Sequence, residues 1–376
     1  MRIYHVTTAH RADDVRIYER ECRSLAAVPG YQVALAAPGQ IPGGTPIRQR
    51  VIPDPPSGRA ERFLLSPLRA ARALHGVDAD VFHFHDPELL PVALLLAKRG
   101  RKVIWDAHED YLAEVDATGP KDWIPTGARG FVQAGTRRVL HAVDTHAAGI
   151  VAATVDIAAG YRNPRTVVVG NQARVADFAA CRPTFASRQL LYTGHVGDQH
   201  CFRELVEGVA AVPDTTLVVA GRSRDEAVWA QAQAVLGPRL RPAGWVDRAG
   251  LRELISASAL GVVSYADIRT NDHNSPNKLF EFAAAGLPVV ATPNAGNAKA
   301  VATSGGGVVA DDFTAAGFKE AIAAALADES RWTDMSAAAR HWADEFGSWE
   351  RAQQSLLDLY AAIARDGSRP GSARDA

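Results

Sequence analysis

Ser275-Pro276-Asn277-Lys278-Leu279-Phe280-Glu281-Phe282-Ala283-Ala284-Ala285-Gly286-Leu287-Pro288-Val289-Val290 reads as a helix over 277–285 followed by a strand over 288–292. Ser or Asn followed by Pro opens a helix whose first turn presents free N–H groups, a natural seat for a phosphate. Glu281 lies four residues past Asn277 on the same face, where a carboxylate can accept hydrogen bonds from a ribose diol. Lys278 can meet a phosphate or a sugar hydroxyl. The same residues also read as a solvated helix start with an Asn cap and ordinary surface Lys and Glu.

Working outward, short β-rich runs alternate with helical patterns, as expected of parallel sheets covered by helices. Upstream, strands are predicted over 2–6, 32–37, 81–85, 102–107 and 167–169, with helices over 15–28 and 87–98, the latter having Pro at its first position. Residues 171–188 lack periodicity and carry Pro183, so they read as a linker. The alternation then restarts. Strands are predicted over 189–193, 216–220 and 259–264, helices over 202–212 and 225–236, and final helices between 315 and 364. The expectation is α/β: two Rossmann-like domains, 1–175 and 176–348, facing across a cleft. A helix over 349–365 is expected to pack back on the first domain, and the Gly/Ser/Arg-rich tail 366–376 to be disordered.

Composition narrows the class. The chain has 376 residues, enough for two domains at about 150 residues each. Hydrophobic residues make up 47% and charged residues 22%, and the net charge is -1, which speaks against nucleic-acid binding driven by bulk charge. Six Lys stand against 35 Arg, a bias that reads as GC-rich coding in so Ala-rich a chain. The three cysteines, Cys22, Cys181 and Cys201, fit neither a disulfide framework nor a Cys-based zinc site. The N-terminus turns polar at Thr7, too soon for a signal-peptide core. A cytoplasmic protein without stable membrane insertion is expected, with a homodimer left open.

In open α/β sheets ligands bind beyond the carboxyl ends of the strands. The polar residues there recur as motifs: Asp14-Val15-Arg16-Ile17-Tyr18-Glu19-Arg20-Glu21, Val81-Phe82-His83-Phe84-His85-Asp86-Pro87-Glu88, Asp106-Ala107-His108-Glu109-Asp110, and the opening stretch. Together these resemble the retaining GT-B glycosyltransferases of family 4, the glycogen-synthase-like group, over nearly the whole chain. The resemblance implies transfer of a sugar from a nucleotide sugar, UDP-, GDP- or dTDP-linked, with retained anomeric configuration. It implies no cofactor and no catalytic metal, basic side chains and a helix N-terminus standing at the leaving diphosphate. It implies donor binding by the C-terminal domain through Trp245, Asn274, Ser275, Pro276, Asn277, Lys278, Leu279 and Glu281, with Arg222 after its strand. It implies acceptor binding by Asp13, Arg16, His85, Asp86, Asp106 and Glu109, with His108 beside the reacting carbon.

Three departures stand out. His273 occupies the position of the first of the family's paired Glu, and is a candidate catalytic residue in its stead. The usual Gly-Arg after the post-linker strand is Gly194-His195 here, so His195, His200 or Arg203 would form the diphosphate clamp. Ala12-Asp13-Asp14 replaces the common Gly-Gly loop. His5 and His83 alternate with apolar neighbours and read as core histidines. Asp86-Pro87 also reads as a helix cap, and Asp106 with Glu109 as a glycosidase-like carboxylate pair or part of a metal site. A small soluble acceptor in specialised-metabolite or surface-glycan biosynthesis is expected. The rival readings are a sugar-nucleotide epimerase on the same scaffold and a non-catalytic nucleotide-sugar-binding subunit. No basic amphipathic helix stands out for lipid docking, the nearest candidate starting at Arg59-Ala60-Glu61-Arg62-Phe63-Leu64-Leu65.

Overall fold

A computed structural model describes residues 1–41, 43–56, 58–109, 111, 127, 129–223, 225–268, 271 and 276–366. Of the expected site, His273, Asn274 and Ser275 lie outside these residues, as does the tail from 367 onward. The chain divides into two compact units: Met1–Gly170 with Ala352–Ala376, and Asn171–Arg351.

The first unit holds β1 (Arg2–Val6), α1 (Val15–Cys22 wound as a π-helix, continued by Arg23–Ala26), β2 (Gln32–Pro38), β3 (Arg48–Ile52) and α2 (Arg59–Leu74). Then follow β4 (Val81–Phe84), a turn of 3-10 helix and α3 (Leu90–Lys98), β5 (Lys102–Ala107), α4 (Arg129–His146), β6 (Gly149–Ala152), α5 (Val155–Ala159) and β7 (Thr166–Val168). Every strand pairing is parallel, in the order β3-β2-β1-β4-β5-β6-β7. The strand period of two decides which layer each side chain meets. Tyr4, Phe82, Phe84 and Trp105 pack with Ala70 and Ala73 of α2, Leu90 and Ala93 of α3, and Leu140 and Val143 of α4. His5 and His83, opposite one another in register, point to the other face and are fully buried, as their apolar surroundings led us to expect.

The second unit opens with α6 (Val175–Phe178) and continues through β8 (Gln189–Thr193), α7 (Phe202–Ala210), β9 (Thr216–Ala220), α8 (Glu226–Leu236), β10 (Leu240–Gly244), α9 (Arg248–Ser256), β11 (Leu260–Val263) and α10 (Asn277–Ala285). It ends with β12 (Val289–Ala291), α11 (Ala295–Ser304), β13 (Gly307–Val309), α12 (Ala315–Ala325), α13 (Glu329–Glu345) and the start of α14 (Trp349–Arg365). Its six parallel strands run β10-β9-β8-β11-β12-β13. Residues expected as a linker are instead part of this unit. Phe178 and Cys181 are buried with Ile255 of α9 and Leu279 and Phe282 of α10, so isolated apolar residues without period fill a gap between helices. The later part of α14 belongs to the first unit, where the Tyr360 hydroxyl lies 2.9 Å from His83 Nδ1. Two sheets of this parallel, doubly wound kind are the α/β architecture expected from the alternation.

Candidate functional site

In the first unit the ends of β1, β4 and β5 carry a network of buried charge. Asp106, fully buried at the end of β5, accepts from Arg16 Nη2 at 2.9 Å and Nε at 3.3 Å, and lies 3.1 Å from His85 Nδ1. Burial would raise its pKa, but Arg16, His108 and His85 hold it well below the usual carboxylate range. Arg16 also lies 3.2 Å from Glu21, whose carboxyl is driven well above its ordinary value by burial and by Asp106. His85 Nε2 meets His5 Nδ1 at 2.9 Å, so a line of hydrogen bonds runs from Asp106 through His85 to His5. Arg16, His85 and Asp106, expected as acceptor contacts, are therefore bonded to one another inside the unit.

Asp86 is equally committed. The resemblance makes it an acceptor residue, and its position makes it a helix cap. Its carboxylate caps nothing on the helix that follows. It accepts instead from Thr7 Oγ1 (2.8 Å), Thr8 N (2.5 Å) and Ala9 N (3.1 Å), and pairs with His10 Nδ1 (2.8 Å). It thus ties the loop after β1 to the end of β4. His10, not singled out in the sequence, is pushed up to about 9: its hydrogen bond and charge pairing with Asp86 outweigh burial. Its signal was a histidine in the loop Thr7–Asp14, facing the Asp of another strand end. His10 is 40% exposed at its side chain and its ring lies 5.5 Å from that of His108.

His108 is 13% exposed at its side chain, with Nε2 turned inward, 3.8 Å from Asp106 and without a hydrogen-bond partner. Burial holds its pKa well below the ordinary histidine value, so it is neutral near pH 7. Glu109 and Asp13 are exposed, Asp13 beside Arg11 at 3.3 Å. Asp14 caps α1 through the N–H groups of Arg16 and Ile17. Among the described residues, two groups have donor atoms within 4.8 Å of one another, as a metal would need: His5, Glu21, His83 and His85, and His85, Asp106 and His108. Within them His5 bonds to His85 and His85 to Asp106, and the Arg16 guanidinium lies against Asp106.

In the second unit the site gathers around α10. Pro276 begins the helix without side-chain capping, and Glu281 and Lys278 are both buried. Lys278 Nζ sits 4.9 Å from the Tyr192 ring centre and 5.1 Å from that of Tyr265, a cation held between two aromatic faces. Burial lowers its pKa to about 8. A side chain on Gly194 would begin 3.7 Å from that nitrogen, and Gly194 has φ +124°, open only to glycine. A β-carbon on Gly221 would fall 1.9 Å from the Gly194 carbonyl, so the ends of β8 and β9 can approach this closely only because residue 221 is glycine.

His195, His200 and Arg203, the alternatives expected for the diphosphate clamp, lie near the end of β8 and the start of α7. His200, its ring 5.3 Å from Tyr265, is pushed down to about 4 by burial, Lys278 and His195, and carries no charge near neutrality. Arg203 binds Asp198 at 2.8 Å and also Gln231. His195 is exposed, and its carbonyl accepts from the Tyr192 hydroxyl. Arg222 stacks 5.8 Å over the exposed Trp245 ring. Glu281 Oε1 lies 3.5 Å from Arg248 Nη1, while Arg248 Nη2 donates to Asp177 at 3.1 Å and the guanidinium lies over the Phe178 ring. Arg248 and Tyr192 escaped the sequence reading because one sits on another helix and the other on another strand, without a motif, whereas Tyr265 opens the strand-end stretch that leads to Lys278. Leu279 is core packing, and Asn277 is the first residue of α10.

Residues 187–328 match the family model described as glycosyl transferases group 1. No curated sequence matches the chain. Among solved structures it is similar to sucrose-phosphate synthase from Thermosynechococcus elongatus, at 17% identity and TM-score 0.77, covering 97% of this chain and 99% of that one. HepE from Anabaena in complex with UDP-glucose superposes with TM-score 0.73 at 14% identity, over 96% of this chain and all of that one. WaaG, a glycosyltransferase involved in lipopolysaccharide biosynthesis, gives 0.72 at 16% identity, over 96% and 99%. The chain thus shares the two-sheet α/β fold of these structures and matches, over residues 187–328, the model of the group 1 glycosyl transferases.

Proposed function

We propose that this chain is a retaining, metal-independent glycosyltransferase of family 4 type that moves a sugar from a nucleoside diphosphate sugar to an acceptor. The observation that carries the reading is Lys278. It is a buried cation between Tyr192 and Tyr265, beside Gly194 and in the first turn of α10, with Glu281 one turn on. An ammonium and a helix N-terminus at one place can stabilise the charge that develops on a leaving diphosphate, the task a divalent ion performs elsewhere. Glu281, oriented by Arg248, would accept hydrogen bonds from the ribose diol. UDP is the first nucleotide to try, since HepE binds UDP-glucose.

His108 would lie against the sugar. A neutral imidazole can accept a hydrogen bond from a sugar hydroxyl and steady an oxocarbenium-like centre without repelling it. Asp106 supports retention without a covalent intermediate: its carboxylate is held by Arg16 and His85 and unavailable as a nucleophile. The test is calorimetry with UDP, GDP, dTDP and ADP, followed by hydrolysis and transfer assays with the matching sugar nucleotides in excess EDTA. Glu281→Ala should weaken the best nucleotide by about 1.5–3 kcal/mol, the cost of hydrogen bonds to a charged group. Unchanged affinity, or activity abolished by EDTA and restored by Mn²⁺, would count against it.

A further inference from the structure

A neutral imidazole donates through one ring nitrogen and accepts through the other, and its partners decide which. At the ends of β4 and β5 three rings face a single oxygen, Asp106 Oδ2: His85 Nδ1 at 3.1 Å, His108 Nε2 at 3.8 Å and His83 Nε2 at 3.9 Å. Against its burial, Arg16 keeps this carboxylate ionised. An ionised carboxylate only accepts, so a bare nitrogen turned towards it would set lone pair against lone pair, whereas an N–H meets opposite charge. Asp106 thereby selects the protonated nitrogen in each ring. His85 carries its hydrogen on Nδ1, and its Nε2 is bare. His5 Nδ1, 2.9 Å from that Nε2, is then the donor. His83 carries its hydrogen on Nε2, and its Nδ1 accepts from the Tyr360 hydroxyl at 2.9 Å. Glu21 Oε2 lies 3.9 Å from the same Nδ1, but burial and Asp106 drive its carboxyl towards the neutral form, which sets no charge against that lone pair. Burial holds His5, His83 and His108 well below the ordinary histidine pKa, so none of the three takes a second hydrogen near neutrality. Each hydrogen bond in the row then has one donor and one acceptor.

We propose that Asp106 is a positioning residue: it holds His108 in the Nε2–H form and leaves Nδ1 as a bare acceptor for a hydrogen-giving group of the substrate. Nε2 is the buried nitrogen of His108, while 13% of the side chain stays accessible. The ring therefore turns its N–H inward and its lone pair towards a ligand. This rests on the reading that His108 lies against the donor sugar, and it narrows what can stand opposite. A hydroxyl or amino group can donate to Nδ1; a carbonyl, an ether oxygen or a fluorine cannot. A ring free to exchange tautomers would accept either kind of partner, so the fixed tautomer is a source of specificity as well as of orientation. Arg16 and His85 serve the same end, since both hold the carboxylate that makes the choice. His85, Asp106 and His108 also lie within reach of one metal ion, but an ion there would need bare nitrogens facing it, the opposite arrangement at His108 Nε2.

The test is long-range ¹H–¹⁵N NMR of the full chain, labelled at its 12 histidines and free of ligand, near neutral pH. His108 is assigned by the signal that His108→Asn removes, and the buried rings by contacts along the row. His108 and His83 should show a protonated Nε2 and a bare Nδ1. His85 and His5 should show the reverse, against the ordinary preference of a free imidazole for Nε2–H. In Asp106→Asn, whose amide can donate as well as accept, this selection should relax at His85 and His108. Should that variant fail to fold, a second pair carries the functional arm. His108→Asn can place an oxygen where Nδ1 stands, whereas His108→Gln reaches only the Nε2 position. His108→Asn should keep about tenfold or more of the kcat of His108→Gln, with Tm and nucleotide affinity alike in both. A bare Nε2 on His108, an Nε2–H form of His85, a bound metal that removes the His108 N–H, or greater activity in His108→Gln would overturn the proposal. The spectrum is read without a donor, so a failed donor reading would show in nucleotide binding and leave the tautomers as they are.

Discussion

The two units share one parallel topology and fill their strand ends in opposite ways. In the first, Arg16, Asp106 and His85 are buried and bonded to each other, and buried Asp86 is bonded to the loop after β1, so the charged motif residues are the scaffold of the site. His10, His108 and Glu109 are what this scaffold presents. In the second, glycines at the ends of β8 and β9, two tyrosine rings and one lysine surround α10. The comparison teaches that a motif rich in charge can be mainly structural, whereas a sparse one can leave its groups available to a ligand.

The sharpest way to break this contrast is Asp106→Asn. Removing one partner of a buried pair strands the Arg16 guanidinium, and about 3–5 kcal/mol of stability should be lost in urea unfolding. The corresponding cut in the second unit, Asp198→Asn opposite the half-buried Arg203, should stay within about 1 kcal/mol. Equal losses would erase the distinction.

Next in size is His108→Ala. If His108 steadies the transition state, kcat should fall by about two orders of magnitude with nucleotide affinity unchanged. A folded variant with near-normal turnover would reduce His108 to packing beside Asp106.

If the donor binds at α10, Lys278 should set the pH dependence of its binding. Burial disfavours its charged form and brings its pKa to about 8, so nucleotide affinity should be full below that pH and fall as pH rises through it. A histidine clamp would instead give a fall at lower pH, near the ordinary histidine value of about 6.5 or, for His200, which burial pushes down to about 4, lower still. Lys278→Arg, which stays charged, should flatten the profile; a fall at the same pH in that variant would assign the titration elsewhere.

The smallest effect concerns His10. Its folded pKa of about 9 lies above the ordinary value, so its pairing with Asp86 stabilises the fold fully below about 6.5 and ceases to do so as pH rises through about 9. His10→Gln should therefore lower Tm at pH 6 and close the gap by about pH 9.5. A gap independent of pH would mean that charge is not what holds the β1 loop.

Much of the fold was legible because strands and helices write different periods into the chain. β1, β5, β8, β9 and α10 fall where the alternation put them. β3 was missed because Arg48-Gln49-Arg50-Val51-Ile52 is an edge strand, mostly exposed and polar. The first helix was legible as a helix but not as a π-helix, since winding leaves no mark in composition. α2 carries Pro67 within it and was read only as a helix start. At the site, Lys278 and Glu281 announced themselves by their spacing after Pro276. Tyr192 and Arg248, which help define them, did not, because they come from distant segments.

By itself the sequence determined the alternating α/β order, the histidines of the sheet interior, and the helix start that gathers Pro276, Lys278 and Glu281. These are local matters of period, apolar neighbours and capping. Tertiary structure alone decided which charged residues face a ligand and which face each other. Arg16 lies 90 residues from Asp106, and His10 lies 76 from Asp86. Whether such a pair is a binding site or a buried strut depends on the desolvation each charge meets once the strands are side by side, a property of the packed surroundings that no local pattern records.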